Sequence, residues 1–403
     1  MVVAAEPPPD PARSESRSAT SGGFDDLDLA WLRAKPGAKW QRYGPGPLAA
    51  WLADMDFPTP PPVAAALHRL IDAGDLGYPD WPDGTPLRSL FARRMGERFG
   101  WAAPSEHVRE TCDVLQGVQM ALLLATPPGS LIALHTPSYP PFLETSVDMG
   151  RPILPIPAAH VGGRWSFDHD RLATDLAAAG GRCRTLLLCN PHNPTGHVFT
   201  RDELADLAAL AEEHDLLIIS DEIHADLVYA PHRHVPVASL GPSVADRTVT
   251  LTSATKAFNL AGVRCALAHL GPGPLRAAWD HQPRRLHGVV SVLGAEATRA
   301  AWEDGDRWLE AALAHLDRNR HLLGRLLASH LPAVGYTPPD ATYLAWLDLR
   351  GAGLAAPGPD RVVLAPGPDF GPGGEGFARL NFATSAAVLE AIVGQLAGAP
   401  AAG

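Results

Sequence analysis

The sequence predicts an α/β fold built on a largely parallel, buried sheet, and three observations carry that expectation. Short apolar runs recur along the middle of the chain without alternating. A helix with a capping signature separates two of them. The polar residues with chemical potential fall just after the runs rather than inside them.

The runs are 131–135, 185–189, 216–220 and 249–252. Each has strand length, and the lack of alternation is expected of strands covered on both faces. Between the second and third, Thr200 is placed to cap a helix, and Glu203 three residues later completes a capping box. Leu204, Leu207, Leu210 and Ala211 then keep one apolar face to about His214. Strand, helix and strand with a right-handed crossover give an α/β unit. Tyr139 follows the first run, Asn193 the second, Asp221 the third, and Ser253 with Lys256 the fourth. Ligands of open α/β sheets bind outside the carboxyl ends of the strands, so four loops are expected to converge on one place.

Composition limits what the chain does. Its 403 residues suffice for two or three domains and a large core. With 33 basic against 44 acidic side chains the net charge is −11, and the basic residues are scattered. Non-specific binding to nucleic acid or anionic membrane is therefore not expected. The four cysteines, Cys112, Cys183, Cys189 and Cys265, lie far apart, so reduced buried thiols are expected rather than a disulfide framework. No apolar run has spanning length and no signal-peptide pattern opens the chain, which predicts a soluble cytoplasmic protein. Residues 1–24, rich in Pro, Ser and charge, read as a disordered tail.

Each motif has a plain reading beside a chemical one. Lys256, in Ser253-Ala254-Thr255-Lys256, is either a solvated loop charge or an imine-forming lysine. The second needs burial and cationic neighbours to keep the amine neutral, and Arg264 is a candidate neighbour. A phosphate could lie between Arg264 and Ser253. Asn190-Pro191-His192-Asn193-Pro194-Thr195-Gly196 is turn chemistry, in which the Asn193 amide can donate to a phenolate oxygen. Asp221 either caps a helix or pairs with a protonated heterocyclic nitrogen, and His224 three residues on can reach the same ring. Gln116-Gly117-Val118-Gln119 reads as a glycine turn opening an apolar helix over 120–125, whose free N–H groups suit a phosphate. Tyr139 can stack on a planar ring or pack in the core. His232-Arg233-His234 has no third ligand at metal spacing and reads as a solvated loop.

Taken in order, the Gly117 turn, Asn193-Pro194-Thr195-Gly196, Asp221, the S-x-x-K ending at Lys256, Arg264 and Arg379 resemble the class I/II aminotransferase superfamily, fold type I of the pyridoxal-phosphate enzymes. The resemblance runs from about residue 25 to 395. Ala53-Asp54-Met55-Asp56-Phe57, Gly77-Tyr78, Asp221-Glu222-Ile223-His224-Ala225-Asp226, Ser253-Ala254-Thr255-Lys256-Ala257-Phe258-Asn259, Tyr343-Leu344-Ala345-Trp346-Leu347-Asp348-Leu349 and Phe377-Ala378-Arg379-Leu380-Asn381-Phe382 are most similar to the cystathionine β-lyase, or MalY/PatB-type C–S lyase, branch.

That resemblance implies pyridoxal 5'-phosphate as cofactor and a role for each residue. Lys256 would carry the cofactor and move the Cα proton, and Asp221 would pair with the pyridine nitrogen. Asn193 and His224 would contact the phenolate oxygen, and Tyr139 would stack on the ring. Gly117, Val118, Ser253 and Arg264 would hold the phosphate, with Tyr78 reaching it from a second subunit of a homodimer. Arg379 would bind the substrate carboxylate, and Tyr78 would also contact the substrate. It also implies a seven-stranded, mostly parallel mixed sheet in a large cofactor-binding domain, residues 72–300. A smaller α/β domain would join 25–71 to 301–396. Two departures stand out: members of this branch often lack an arginine at the position of Arg264, and the link over 351–359 is short and poor in helix formers, which predicts a trimmed small domain.

The activity expected is β-elimination from a cysteine S-conjugate or cystathionine-like amino acid. Transamination uses the same residues. Decarboxylation, oxidative deamination and a cofactor-retaining regulator are further alternatives, although no basic patch or fused helix-turn-helix supports direct DNA binding.

Overall fold

The computed structural model describes residues 23–398 apart from 83, 162–163, 284–285, 287–288 and 354–360. The expected tail and most of the short link thus lie outside the described residues. Phe24, where the tail was expected to end, is buried, its ring 4.7 Å from that of Phe57.

The described strands are β1 (Leu48–Ala49), β2 (Val108–Thr111), β3 (Leu131–Thr136), β4 (Ile153–Val161), β5 (Arg164–Phe167), β6 (Cys183–Cys189), β7 (Leu217–Asp221), β8 (Thr248–Thr252), β9 (Ala266–Leu270), β10 (Leu344–Asp348), β11 (Val362–Val363), β12 (Ala365–Pro366) and β13 (Phe377–Asn381). The main sheet has eight strands in the order β2-β9-β8-β7-β6-β3-β4-β5. β4, β3, β6, β7 and β8 pair in parallel, whereas β9 is antiparallel to both β8 and β2. The eighth strand goes beyond the expected seven and has a local cause. β4 pairs with β3 only over 153–157, and its remaining residues pair with β5 in an antiparallel hairpin at the sheet edge.

All four apolar runs are central strands, and both faces of each are covered. Leu187 and Cys189 of β6 join Ile132, Ile219 and Leu251 beneath helices Val114–Ala125 and Gly273–Asp280. Leu186 and Leu188 point the other way, toward helices His169–Ala179 and Arg201–Glu213. Alternate residues therefore enter two different cores, and the polar face that would mark a half-exposed strand is missing. Helix Arg201–Glu213 carries the expected capping box, with Thr200 and Glu203 bonded in both directions.

A second, three-stranded sheet, β10-β13-β12, lies beside it, and β1 pairs with β11 in parallel. Helices Asp306–His330 and Ala386–Ala397 pack in the same core as residues of segments 24–66 and 343–396. Among the described residues no helix is long and apolar enough to cross a membrane.

Candidate active site

The carboxyl ends of β3, β6, β7 and β8 open into one cavity, whose lining includes Tyr139, Asn193, Asp221, His224, Ser253 and Lys256. The convergence expected from four separate loops is present. Lys256 lies four residues beyond the end of β8, and its Nζ donates to the carbonyl of Ala53 at 2.8 Å. Burial lowers its pKa from the usual lysine value, which favours the neutral, nucleophilic amine. Asp54 and Asp221 pull the other way, and Arg379 adds to the lowering.

Asp221 ends β7. Its Oδ1 accepts the Ile223 N–H at 3.0 Å, and burial raises its pKa to about 7. Such a carboxyl is poised to ionise against a cationic ring nitrogen. His224 is buried with its Nδ1 unpartnered, and its pKa is pushed down to about 3, so a neutral ring faces the cavity. Tyr139 is the N-cap residue of helix Pro140–Asp148, and burial lifts its phenol to about 12.

The 190–197 loop is fixed by backbone. Asn190 N–H donates to the Asp221 carbonyl at 2.9 Å, and Gly196 N–H to that of His192 at 2.7 Å. Gly196 has φ +71°, and a Cβ there would meet Pro339 Cβ at 2.3 Å, so a side chain is excluded. Held this way, Asn193 accepts from Arg379 Nη1 through Oδ1 at 2.9 Å, which leaves its amide N–H groups to donate. Arg379 lies in β13 between Trp346 of β10 and Ala365 of β12. Its Nη2 donates to the Trp51 carbonyl at 3.1 Å, the Phe370 ring lies 5.0 Å away, and Nε is unpartnered. Burial lowers its pKa to about 10, so it is still a cation at neutral pH.

The structure corrects the expected helix opening at Gly117. The helix starts at Val114, not beyond Gly117, with Asp113 as N-cap. Gly117 and Val118 are therefore buried helix-interior residues, and Gly117 packs so closely on β8 that a Cβ would meet Leu251 Cδ2 at 2.5 Å. The residues that line the cavity here are Cys112, Asp113, Val114 and Leu115. Asp113-Val114-Leu115-Gln116 is itself a capping signature, an Asp followed three residues later by Gln, and could have located this start. Gln116 N–H donates to Asp113 Oδ1 at 2.7 Å, and Cys112 N–H to Gln116 Oε1 at 2.8 Å. Arg264 lines the same cavity and pairs with Asp113 Oδ2. Ser253 Oγ donates to the Cys265 carbonyl at 2.6 Å and lies 2.9 Å from Thr255 Oγ1.

Tyr78 is outside the cavity. It is fully exposed, in a surface groove shared with Trp81 and Arg299. His234 also departs from its expected solvated loop: it is buried, with Nε2 2.9 Å from Glu222 Oε2.

The segment 51–57 extends the Ala53-Asp54-Met55-Asp56-Phe57 motif by Trp51 and Leu52 and has a structural role that the motif does not advertise. It is laced over Lys256. Asn259 bonds the backbone of Met55 and Phe57, and Asn381 Nδ2 donates to the carbonyls of Leu52 and Asp54. A buried ion pair, Lys39 with Asp56 at 2.9 Å, anchors it from below. Tyr343 Oη donates to the same Ala53 carbonyl as Lys256, at 2.9 Å.

These residues fit a phosphorylated pyridine aldehyde. They offer an amine of lowered pKa, a buried carboxyl of raised pKa and, among the described residues, an imidazole nitrogen without a hydrogen-bond partner. The first turn of a helix lies opposite an arginine, as a phosphate needs.

The buried histidines make the cofactor-free fold acid-sensitive. Burial pushes His192, His224 and His269 to about 3, and His135 well below its usual value. Unfolded histidines titrate near 6.5, so the unfolded chain binds more protons below that pH and stability is lost as pH falls. Each of the first three contributes a loss of roughly 2 kcal/mol at pH 5. Asp221, raised to about 7, acts in the opposite sense and offsets about one of them. A denaturant midpoint clearly lower at pH 5 than at pH 7.5 is the expected result, and equal midpoints would contradict it.

Comparison with known proteins gives a consistent picture. The family model described as aminotransferase class I and II matches residues 53–396. Cystathionine beta-lyase PatB of Bacillus subtilis is 34% identical over 366 residues, covering 87% of this chain and 93% of that protein. Cystathionine beta-lyase of Corynebacterium glutamicum is 34% identical over 371 residues, covering 90% and 96%. The crystal structure of cystalysin from Treponema denticola, which contains a pyridoxal 5'-phosphate cofactor, superposes with a TM-score of 0.84 at 25% identity, covering 91% of this chain and 96% of that one.

Proposed function

Since the chain belongs to the class I and II aminotransferase family, we propose that it is a pyridoxal-phosphate-dependent C–S β-lyase acting on cysteine S-conjugates or cystathionine-like amino acids. The observation that carries the reading is the placement of Lys256, Asp221 and Asn193 in one cavity, with Asn193 bonded to a buried Arg379. The cofactor, when bound, withdraws the electron pair left on the substrate Cα.

The chain's own residues do the rest. Arg379 holds the α-carboxylate, because its unpartnered Nε faces no protein acceptor. Lys256 takes the Cα proton, and its lowered pKa keeps a share of the amine neutral for that step. Asp221 would hold the ring nitrogen of the bound cofactor, and its ionised carboxylate would keep that nitrogen protonated. Loss of the thiolate from Cβ then gives, with one water, the free thiol, pyruvate and ammonium. Support for a lyase comes from the two relatives named cystathionine beta-lyase.

The test is pyruvate release from cystathionine and from S-alkylcysteines with no keto acid present. Catalytic pyruvate with equimolar thiol is expected. A single-turnover conversion to the pyridoxamine form without thiol would instead establish a transaminase.

We also take residues 72–300 as the large cofactor-binding domain and 25–71 with 301–396 as the small one. The confinement of the main sheet to residues 108–270 supports this division. A cytoplasmic homodimer is part of the same reading, and the full exposure of the Tyr78 ring suits a residue that reaches a partner's phosphate subsite.

A further inference from the structure

Two side chains at the phosphate end of the cavity carry opposite charges and are paired with each other. Arg264 follows a short turn, Ala261–Val263, in left-handed conformation (φ +55°), and its Nη2 meets Asp113 Oδ2. Asp113 is committed twice over, since its other carboxylate oxygen caps helix Val114–Ala125 through Gln116 N–H at 2.7 Å. The side chains are 61% and 29% exposed, so the pair sits at the cavity rim rather than in the core.

A carboxylate is an unusual neighbour for a phosphate. The first N–H groups of a helix and an adjacent arginine both attract a dianion. An aspartate at the N-cap places a like charge against that dianion, and it reduces the positive potential of the helix end and of Arg264 together. The cap itself does not need the charge, because asparagine caps a helix as well as aspartate does.

We propose that Asp113 holds Arg264 in a neutralised pair and thereby weakens the hold on the cofactor phosphate, setting an exchangeable rather than a tightly retained cofactor. Arg264 contributes orientation but little net charge while Asp113 faces it. The proposal rests on the cofactor reading given above and specifies how the phosphate subsite is tuned.

Asp113→Asn keeps the cap and removes the charge. Loss of pyridoxal 5'-phosphate from the holoenzyme, followed by its absorbance during dilution into a trapping agent, is expected to slow by about 3- to 10-fold, the scale for one partly exposed charge. Arg264→Gln is expected to speed cofactor loss only slightly in the wild type, but by at least about 3-fold more in the Asp113→Asn background. Unchanged urea midpoints would confirm that the cap survives. Faster cofactor loss from Asp113→Asn would overturn the proposal, since Asp113 would then be positioning Arg264 for the phosphate. An equal effect of Arg264→Gln in both backgrounds would overturn it too. Failure of the wild-type protein to bind the cofactor at all would instead remove the cofactor reading, a result read independently of the variants.

Discussion

Lys256→Ala is expected to lower pyruvate formation by about 10⁴-fold or more, the scale for removing a covalent anchor and a proton-transfer group together. Borohydride reduction should fix the cofactor's mass to Lys256 in the wild type and to no residue in the variant. The fold should survive, because the Lys256 contact given up is one hydrogen bond to a backbone carbonyl that Tyr343 also serves. A small added amine is expected to restore part of the rate by entering the space the side chain leaves. A variant that still made pyruvate within tenfold of the wild-type rate would remove Lys256 from the chemistry.

Asp221→Asn is the second large effect, a loss of about 10³-fold in kcat, comparable with deleting a main electrostatic stabiliser of a buried reacting centre. The amide retains an oxygen for the Ile223 N–H but has no charge with which to keep a ring nitrogen protonated. Stability should move the other way. Asp221 titrates near 7 in the cofactor-free fold against about 3.9 when unfolded, so its ionised form costs stability above pH 7. Cofactor-free Asp221→Asn is therefore expected to be more stable than the wild type at pH 8, by a few kcal/mol in denaturant titration. Lower stability there, or near-normal turnover, would refute the role.

Much of this site was legible in the sequence because strand ends are. The runs before Tyr139, Asn193, Asp221 and Lys256 are strands buried on both faces, and the chemically useful polar residues at or just past their ends are at the sheet's carboxyl edge. The helix start at Val114 was hidden for the opposite reason. Val114 and Leu115 are as apolar as the rest of their helix, and Gly117 drew attention as a turn residue when its small size serves packing against Leu251. The role of segment 51–57 was hidden because its contribution is backbone. The carbonyls of Trp51, Leu52, Ala53 and Asp54 accept from Arg379, Asn381 and Lys256, and no side-chain type advertises an acceptor that every residue has. The eighth strand depended on the length of β4, which no composition rule fixes.

The lacing of 51–57 also orders events in time. Lys256 meets Ala53 across 203 positions of sequence, while Arg379 and Asn381 reach Trp51, Leu52 and Asp54 across 328, 329 and 327. A chain emerging from the ribosome can fold the 108–270 sheet early, since domains generally form as their residues appear. Lys256 and Asn259 can already engage Ala53, Met55 and Phe57, but the bonds to Trp51, Leu52 and Asp54 form only once β13 is synthesised. With the role proposed for Arg379, a chain that stops short of β13 would hold the amine without the means to select what reaches it.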